Sequence, residues 1–303
     1  MAANDTDILF KFCSAESAKK ILSTQSMRWS APCLLGDPLE PSHETRLNFD
    51  SQDLLKGAIK AATSMIFARE VPKGNAPLLT AIRRWREEER FGSPEEAESV
   101  LQELMSQMVD QRLEAINKIM SDWQNYAQRL RICSFSSRWE NLAAWQLFSH
   151  HYTGVVLRFQ LQDTKSFGDP IPVKYASERP VITSIKHQLG IILTNERHIA
   201  QEHFQDKFTT KPSEYSNQQE LRCFYQVSDT DPAPGSDCSQ WYIDRPFEPE
   251  SLKGVYFGMH TTQQDKQEIW DLVKKNFSLV KIFATKVLPA KFELESERLT
   301  EKP

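Results

Sequence analysis

Glycine is scarce in this chain, with 10 residues in 303. Phosphate cradles built from successive backbone N–H groups depend on glycine-rich turns, so none is expected. No G-x-S-x-G occurs, and the string "SFSS" lacks the glycines of a strained nucleophile elbow. The five cysteines, at positions 13, 33, 133, 223 and 238, are odd in number, widely spaced and without a C-x-x-C. Three of them (Cys13, Cys133 and Cys223) fall in apolar, strand-like runs. Reduced, buried thiols in a cytoplasmic protein are the expectation. No apolar run approaches the ~20 residues of a membrane span. The opening "MAANDTDILFKF" has no basic segment leading into an apolar core, so no signal peptide is expected. Net charge is −4 and the pI is about 6.0. That balance gives no case for wholesale nucleic-acid binding, although it leaves room for a local basic patch.

Metal chemistry is equally poorly provided for. There is no H-E-x-x-H and no thiolate cluster. His150 and His151 are adjacent, and neighbouring side chains do not converge on one ion. His198 and His203 are five apart, which on a helix sets them on different faces. No dedicated metal site is expected.

The chain does have clear periodicity. "ILFKFC" (8–13) reads as a strand, Ser14 as the cap of a short helix, and "MRWS" (27–30) as a second strand. Pro32, Gly36, Pro38 and Pro41 break up the next segment, a loop carrying Asp37 and Glu40. Between 51 and 131 the period becomes helical. The third helix of that block starts at Ser93 and Pro94, with Glu96 completing a capping box. Its apolar stripe is read as Leu101, Leu104, Met108, Ile116, Ile119, Trp123, Tyr126 and Leu130. Beyond 131 come strands at "RICSFS", "GVVLRFQL", "PVKYA" and "ELRCFYQV", then "GVYFG", "LVKIFATKV" and "AKFELES". Helices are read at "NLAAWQLF", at "TTQQDKQEIWDLVKKNF" and over most of 181–208. "TDPAPGSD" reads as a turn-rich loop, and the last residues as a frayed polar end. The order implies an α+β fold: a mixed, mainly antiparallel sheet with flanking helices. It is one domain over 1–303 with a helical insertion at about 51–130.

Two strands carry the polar residues of interest. Alternation sends Ser134 and Ser136 to one strand face, and Cys133 and Phe135 to the other. Ser137 with Glu140 forms a capping box for the following helix, and Asn141 is a rival cap. In "QQELRCFY", Glu220, Arg222 and Phe224 share a face. That pair is either a solvated or ion-paired strand end, or a carboxylate at the lip of a cleft with an arginine beside it.

These segments, taken in order, resemble the microbial family known as domain of unknown function twenty-nine seventy-one. The resemblance rests on "LFKF", "GDPLE", "CSFSSRWENLAAW", "YTGVVLRF", "QELR" and "LKGVYFG", and the block 133–159 is its most specific part. Asp37, Pro38, Glu40, Ser134, Phe135, Ser136, Asn141, Trp145, Gly154, Phe159, Glu220 and Arg222 match the family pattern. Cys13 stands where a first-strand arginine is usual, Phe148 where a tyrosine is usual, and Tyr152, beside His151, where a histidine is usual. More distantly the chain resembles the ADP-ribosyltransferase superfamily. That resemblance implies NAD as substrate, with Lys11 or Arg28 on the pyrophosphate and Ser134 and Ser136 shaping the nicotinamide pocket. It implies Trp145 for stacking and Glu220 as the catalytic carboxylate, in a defence role such as phage defence or in a toxin effector. Asp37, His151, Tyr152 and Arg222 are further candidates. Two alternatives stand beside it. One is a non-catalytic module with a structural polar cluster, docking a protein partner or a second copy through the helix at 94–130. The other is a metal-dependent hydrolase using Asp37, Glu40 and Glu220.

Overall fold

A computed structural model describes residues 7–228 and 235–303. The N-terminal expectation rests partly on residues 1–6, and the "TDPAPGSD" loop mostly on 230–234. Both of those stretches lie outside the described residues. The chain divides into two compact units, one of Met1–Glu40, Ala127–Arg179 and Thr209–Pro303, the other of Pro41–Tyr126 and Pro180–Phe208.

The first unit is built on the sheet. Its strands are β1 (Ile8–Cys13), β2 (Ser26–Ser30), β3 (Leu130–Ser136), β4 (Val155–Gln160), β5 (Ile171–Pro172) and β6 (Lys174–Ala176). They continue with β7 (Thr210–Pro212), β8 (Glu220–Gln226), β9 (Tyr242–Pro246), β10 (Leu252–Phe257), β11 (Lys281–Val287) and β12 (Leu294–Leu299). Among the described residues the main sheet runs β12-β11-β10-β4-β1-β3-β2-β9, with β8 also paired to β3 and β5 to β8. Only β10 and β11 run parallel within it; β6 and β7 form a separate parallel pair. The α+β, mainly antiparallel architecture is therefore as expected.

Alternation divides the strand residues between two apolar layers. Leu9, Cys13, Cys133, Phe135 and Cys223 join one core, which α1 (Ala15–Thr24) and α7 (Gln263–Asn276) complete through Ala18, Leu22, Ile269 and Val273. The Ser14 hydroxyl accepts from the Ser17 N–H and caps α1, and Lys19 pairs with Asp265 across the two helices at 2.7 Å. Phe10, Phe12, Val156 and Tyr256 face the other way, against Ala144 and Trp145 of α5 (Leu142–Phe148). Gly154 is obligatory between these layers, because a Cβ there would lie 2.1 Å from the Cys13 carbonyl oxygen.

Several details depart from the sequence reading. The cap of α5 is Asn141, whose Oδ1 accepts from the Ala144 N–H at 3.0 Å. Ser137 and Glu140 precede the helix rather than cap it. Cys33 and Cys238 form a disulfide, so the expectation of five reduced cysteines holds only for Cys13, Cys133 and Cys223. A disulfide persists in an oxidising compartment, which counts against the cytoplasmic expectation. No helix among the described residues is long and apolar enough to cross a membrane. The C-terminal end is held rather than frayed: Lys302 pairs with Asp271 at 2.7 Å, and the Pro303 carbonyl accepts from Gln267.

The second unit is helical, with α2 (Ser51–Phe67), α3 (Pro77–Glu87), most of α4 (Pro94–Arg129) and α6 (Ile185–Thr194). Its core joins Leu54, Ala58 and Ala62 to Ile82 and to Leu101, Met105, Val109 and Ile116. The buried stripe of α4 thus runs through Met105 and Val109, while Leu104 is exposed. Trp123 stacks on Phe208 at 5.1 Å, and its indole N–H donates to the Ser42 carbonyl. Only ten residues of 181–208 are α-helical; Asn195, in the left-handed region, ends α6, and short 3-10 turns follow.

Candidate functional site

The site lies in the first unit, where β3 runs between β1 and β8. Residues paired across antiparallel strands point to the same side. Phe10 faces Ser136, and Ser136 faces Glu220, so these three form one row across the sheet. Ser134 faces Arg222 in the next row. The intervening Cys133, Phe135 and Cys223 fill the opposite core. The shared face expected for Ser134 and Ser136 is present, and Glu220 is on it.

Glu220 is 6% exposed. Its Oε1 accepts from the Ser134 hydroxyl at 2.5 Å and from Arg222 Nε at 2.8 Å. Its Oε2 accepts from Lys211 Nζ at 3.1 Å and Arg222 Nη2 at 3.3 Å. Arg222, 1% exposed, also grips Glu40: Nη1 donates to Oε2 at 2.9 Å, and Nη2 to Oε1. Lys211 lies 3.6 Å from Glu40 and 3.9 Å from Asp37, and donates to the Gln218 side-chain oxygen at 3.0 Å. The loop carrying Asp37 and Glu40 is therefore pinned over the strand. The ion-paired alternative is the one present, buried rather than solvated: Arg222 is the centre of a buried ion network, and Glu220 beside it lines a cavity.

Burial pushes the Glu220 carboxyl upward, but the Arg222 guanidinium, then Lys211 and the Ser134 hydroxyl, outweigh it and bring the pKa down to about 2. Burial likewise disfavours the charged form of Arg222, yet Glu220 and Glu40 more than reverse that and raise its pKa. Glu220 is accordingly an anion at neutral pH. It is suited to stabilising positive charge and not to donating a proton.

Beside this network is a cavity of about 70 Å³. Ser134, Ser136, Gln218 and Glu220 give it a polar wall, and Phe10, Phe12 and Phe148 an aromatic one. It has the lining of a ligand site, an apolar wall with a few convergent polar groups, at well below the usual ~300–1,000 Å³.

The other expected residues are placed differently. Lys11 contributes to the cavity lining, but its ammonium donates to the Ser134 carbonyl at 2.8 Å. It lies 3.8 Å from the Cys133 sulfur and above the Phe135 ring, both on the opposite face. Arg28 is on β2, bonded to Asp244 of edge strand β9 through two nitrogens and stacked on Tyr242. Trp145 is fully buried between Phe12 and Tyr152, with its indole N–H on the Trp139 carbonyl, so it is core rather than cavity wall. His151 is exposed and bonds Gln146, and Tyr152 reaches the Leu142 carbonyl. Both follow α5 in the left-handed region, with φ of 55° and 65°.

Asp37, Glu40 and Glu220 do come together, but two cations occupy the space among them. Among the described residues, no group of three or more His, Cys, Asp or Glu is placed to hold a metal ion. His198 and His203 are not on different faces of one α-helix. That segment is not α-helical, and His198 stacks on both His187 and His203, at 4.0 and 6.3 Å between ring centroids.

Sequence reasoning missed Lys211, Gln218 and Tyr175, whose phenol oxygen accepts from the Glu220 N–H at 2.9 Å. Gln218 was not within reach, because it ends a 3-10 turn and Gln219 after it is left-handed, so strand alternation does not extend back to it. Neither was Lys211, because β7 is three residues long. Comparison with family models, with curated proteins and with solved structures finds no match.

Proposed function

We propose that the first unit is an ADP-ribosyltransferase-like module that takes the nicotinamide end of NAD at the Ser134–Ser136–Glu220 cavity. The observation that carries this reading is the convergence of those three residues, from two strands, on one aromatic-walled cavity, with the Ser134 hydroxyl bonded to the carboxylate. The serine hydroxyls suit the carboxamide, and Phe10, Phe12 and Phe148 suit the ring. At about 70 Å³ the cavity is smaller than the ~150 Å³ known to hold benzene. Ring entry therefore needs a side chain to move, and Phe148, 44% exposed at the wall, is the one free to do so.

Cleavage breaks the bond from the nicotinamide nitrogen to the ribose carbon, and nicotinamide leaves with the electron pair. Positive charge grows on the ribose until water or an acceptor adds there and gives up a proton. An ionised carboxylate beside that carbon lowers the barrier, and Glu220 is held ionised by its neighbours. The ADP-ribosyltransferase-like reading carries with it a role as a defence or toxin effector.

A second reading has its own observation. Both Glu220 oxygens are already held by Arg222 and Lys211, as in a purely structural cluster inside a non-catalytic binding module. On that reading a partner would not dock on the apolar stripe of α4, which is spent on the second unit's core.

Incubation of the protein with NAD separates the two. The enzyme reading expects nicotinamide release, and expects Ser136→Ala to slow it at least about tenfold. No release, or release unaffected by that substitution, would leave the binding module.

A further inference from the structure

The second unit has a pocket of its own, of about 340 Å³, lined from α3, α4 and α6. Leu78 of α3, Met108 of α4 and Ile191 of α6 give it apolar walls. Met108 and Arg112 are one turn apart on α4 and share a face, so Arg112 brings a charge to the same space. Gln111 and Asn195, the other polar residues of the lining, are neutral. Arg112 is partly buried and held by a chain of hydrogen bonds. Its Nε donates to the Gln188 side-chain oxygen, and the Gln188 amide donates to the Thr183 hydroxyl at 2.8 Å. Gln188 and Thr183 are both fully buried. Among the described residues, Nη1 and Nη2 of Arg112 have no protein partner. Burial lowers the pKa of this arginine, and no carboxylate counters it.

We propose that this pocket of the second unit binds an aliphatic carboxylate of medium chain length. Nη1 and Nη2 of Arg112 can take both oxygens of one carboxylate, in the bidentate geometry that arginine favours. The tail then lies against Leu78, Met108 and Ile191, and each methylene buried there adds to the affinity. Gln188 already fixes the guanidinium, so little ordering is required on binding. A partly buried cation without an anion is a cost to the fold, and a bound carboxylate removes it. The volume lies at the lower end of the ~300–1,000 Å³ of small-molecule sites. Among the described residues, the lining holds one cation and no aromatic ring. A nucleotide, which needs several phosphate donors and a platform for its base, fits it less well.

The test is calorimetric titration of the full chain with decanoate, acetate and decyltrimethylammonium. Decanoate is expected to bind, and acetate at least about 100-fold more weakly, because the apolar tail is lost. Decyltrimethylammonium has the same tail and the opposite head charge, and is expected not to bind. Arg112→Ala should weaken decanoate at least about tenfold. Arg112→Lys keeps the charge without the fork and should weaken it less. Met108→Glu sets a carboxylate one turn from Arg112 and should block the site. Equal binding of decanoate and decyltrimethylammonium, decanoate binding unaltered in Arg112→Ala, or no decanoate binding at millimolar concentration would each overturn the assignment. The head-group comparison uses the wild type alone, so it decides the matter even if Arg112→Ala fails to fold.

Discussion

Arg28 holds Asp244 of the neighbouring strand, and Arg222 holds Glu40 of a loop, each with two guanidinium nitrogens, and the two pairs do opposite things. Arg28 and Asp244 sit on the outer strands with side chains 53% and 48% exposed. Water and salt screen them, and such pairs contribute little. Arg222 and Glu40 are 1% and 3% exposed, with Glu220 and Lys211 alongside. There the charges have lost their water, and each depends on the others. The difference shows that pairing geometry does not reveal an arginine's role; burial decides it. Arg28 keeps its charge at the sheet margin, and Arg222 uses its charge to fix Glu220 beside a cavity.

The comparison can be broken most severely at Arg222. Arg222→Met leaves Glu40 and Glu220 buried against Lys211 alone, and should cost about 3–5 kcal/mol in denaturant unfolding. A loss under about 1 kcal/mol would mean that the network is solvated. Acid should reveal the same dependence. The Glu220 carboxyl titrates near 4.5 when unfolded and at about 2 when folded. Its stabilisation, on the order of 3 kcal/mol, is therefore complete above pH 4.5 and is lost as pH falls from there towards 2. In Glu220→Gln the unfolding free energy should lose that slope.

The Cys33–Cys238 bridge anchors the segment just before Asp37 and Glu40. Reduction by a dithiol should lower stability by about 2 kcal/mol, the low end for a disulfide, because the Ala31 N–H still bonds the Trp241 carbonyl. An unchanged melting temperature would show that the bridge does not support the loop. The smallest effect belongs to the exposed pair. Arg28→Ala should cost under about 1 kcal/mol, and less at high salt. A larger loss would put Arg28 on a par with Arg222.

What could be read in advance follows the range of each interaction. "ILFKFC" and "RICSFS" alternate, so their faces were visible, and with them the shared face of Ser134 and Ser136; that Glu220 lies on it depends on the pairing of β3 with β8 and was not. Ser14 was a legible cap because its partner is three residues away. β9 went unassigned, because Asp244 and Pro246 are residue types depleted in strands, although an edge strand tolerates both. Nothing local announces that Glu40 meets Arg222 from 182 residues away, or that Cys33 meets Cys238 across 205. Trp145 matched a family pattern, but a match does not say whether a ring faces a cavity or a core. Here Phe12 and Tyr152 enclose it.

The central claim is that Glu220 is held as an anion in order to act on a ligand in the adjoining cavity. The most direct measurement is nicotinamide release from NAD by wild-type protein and by Glu220→Gln, at a pH where circular dichroism shows both folded. The account predicts release by the wild type and a fall of at least about 100-fold in the variant. Equal release by both, or none by the wild type, would contradict it and leave the Glu220–Arg222 network a structural feature of the sheet.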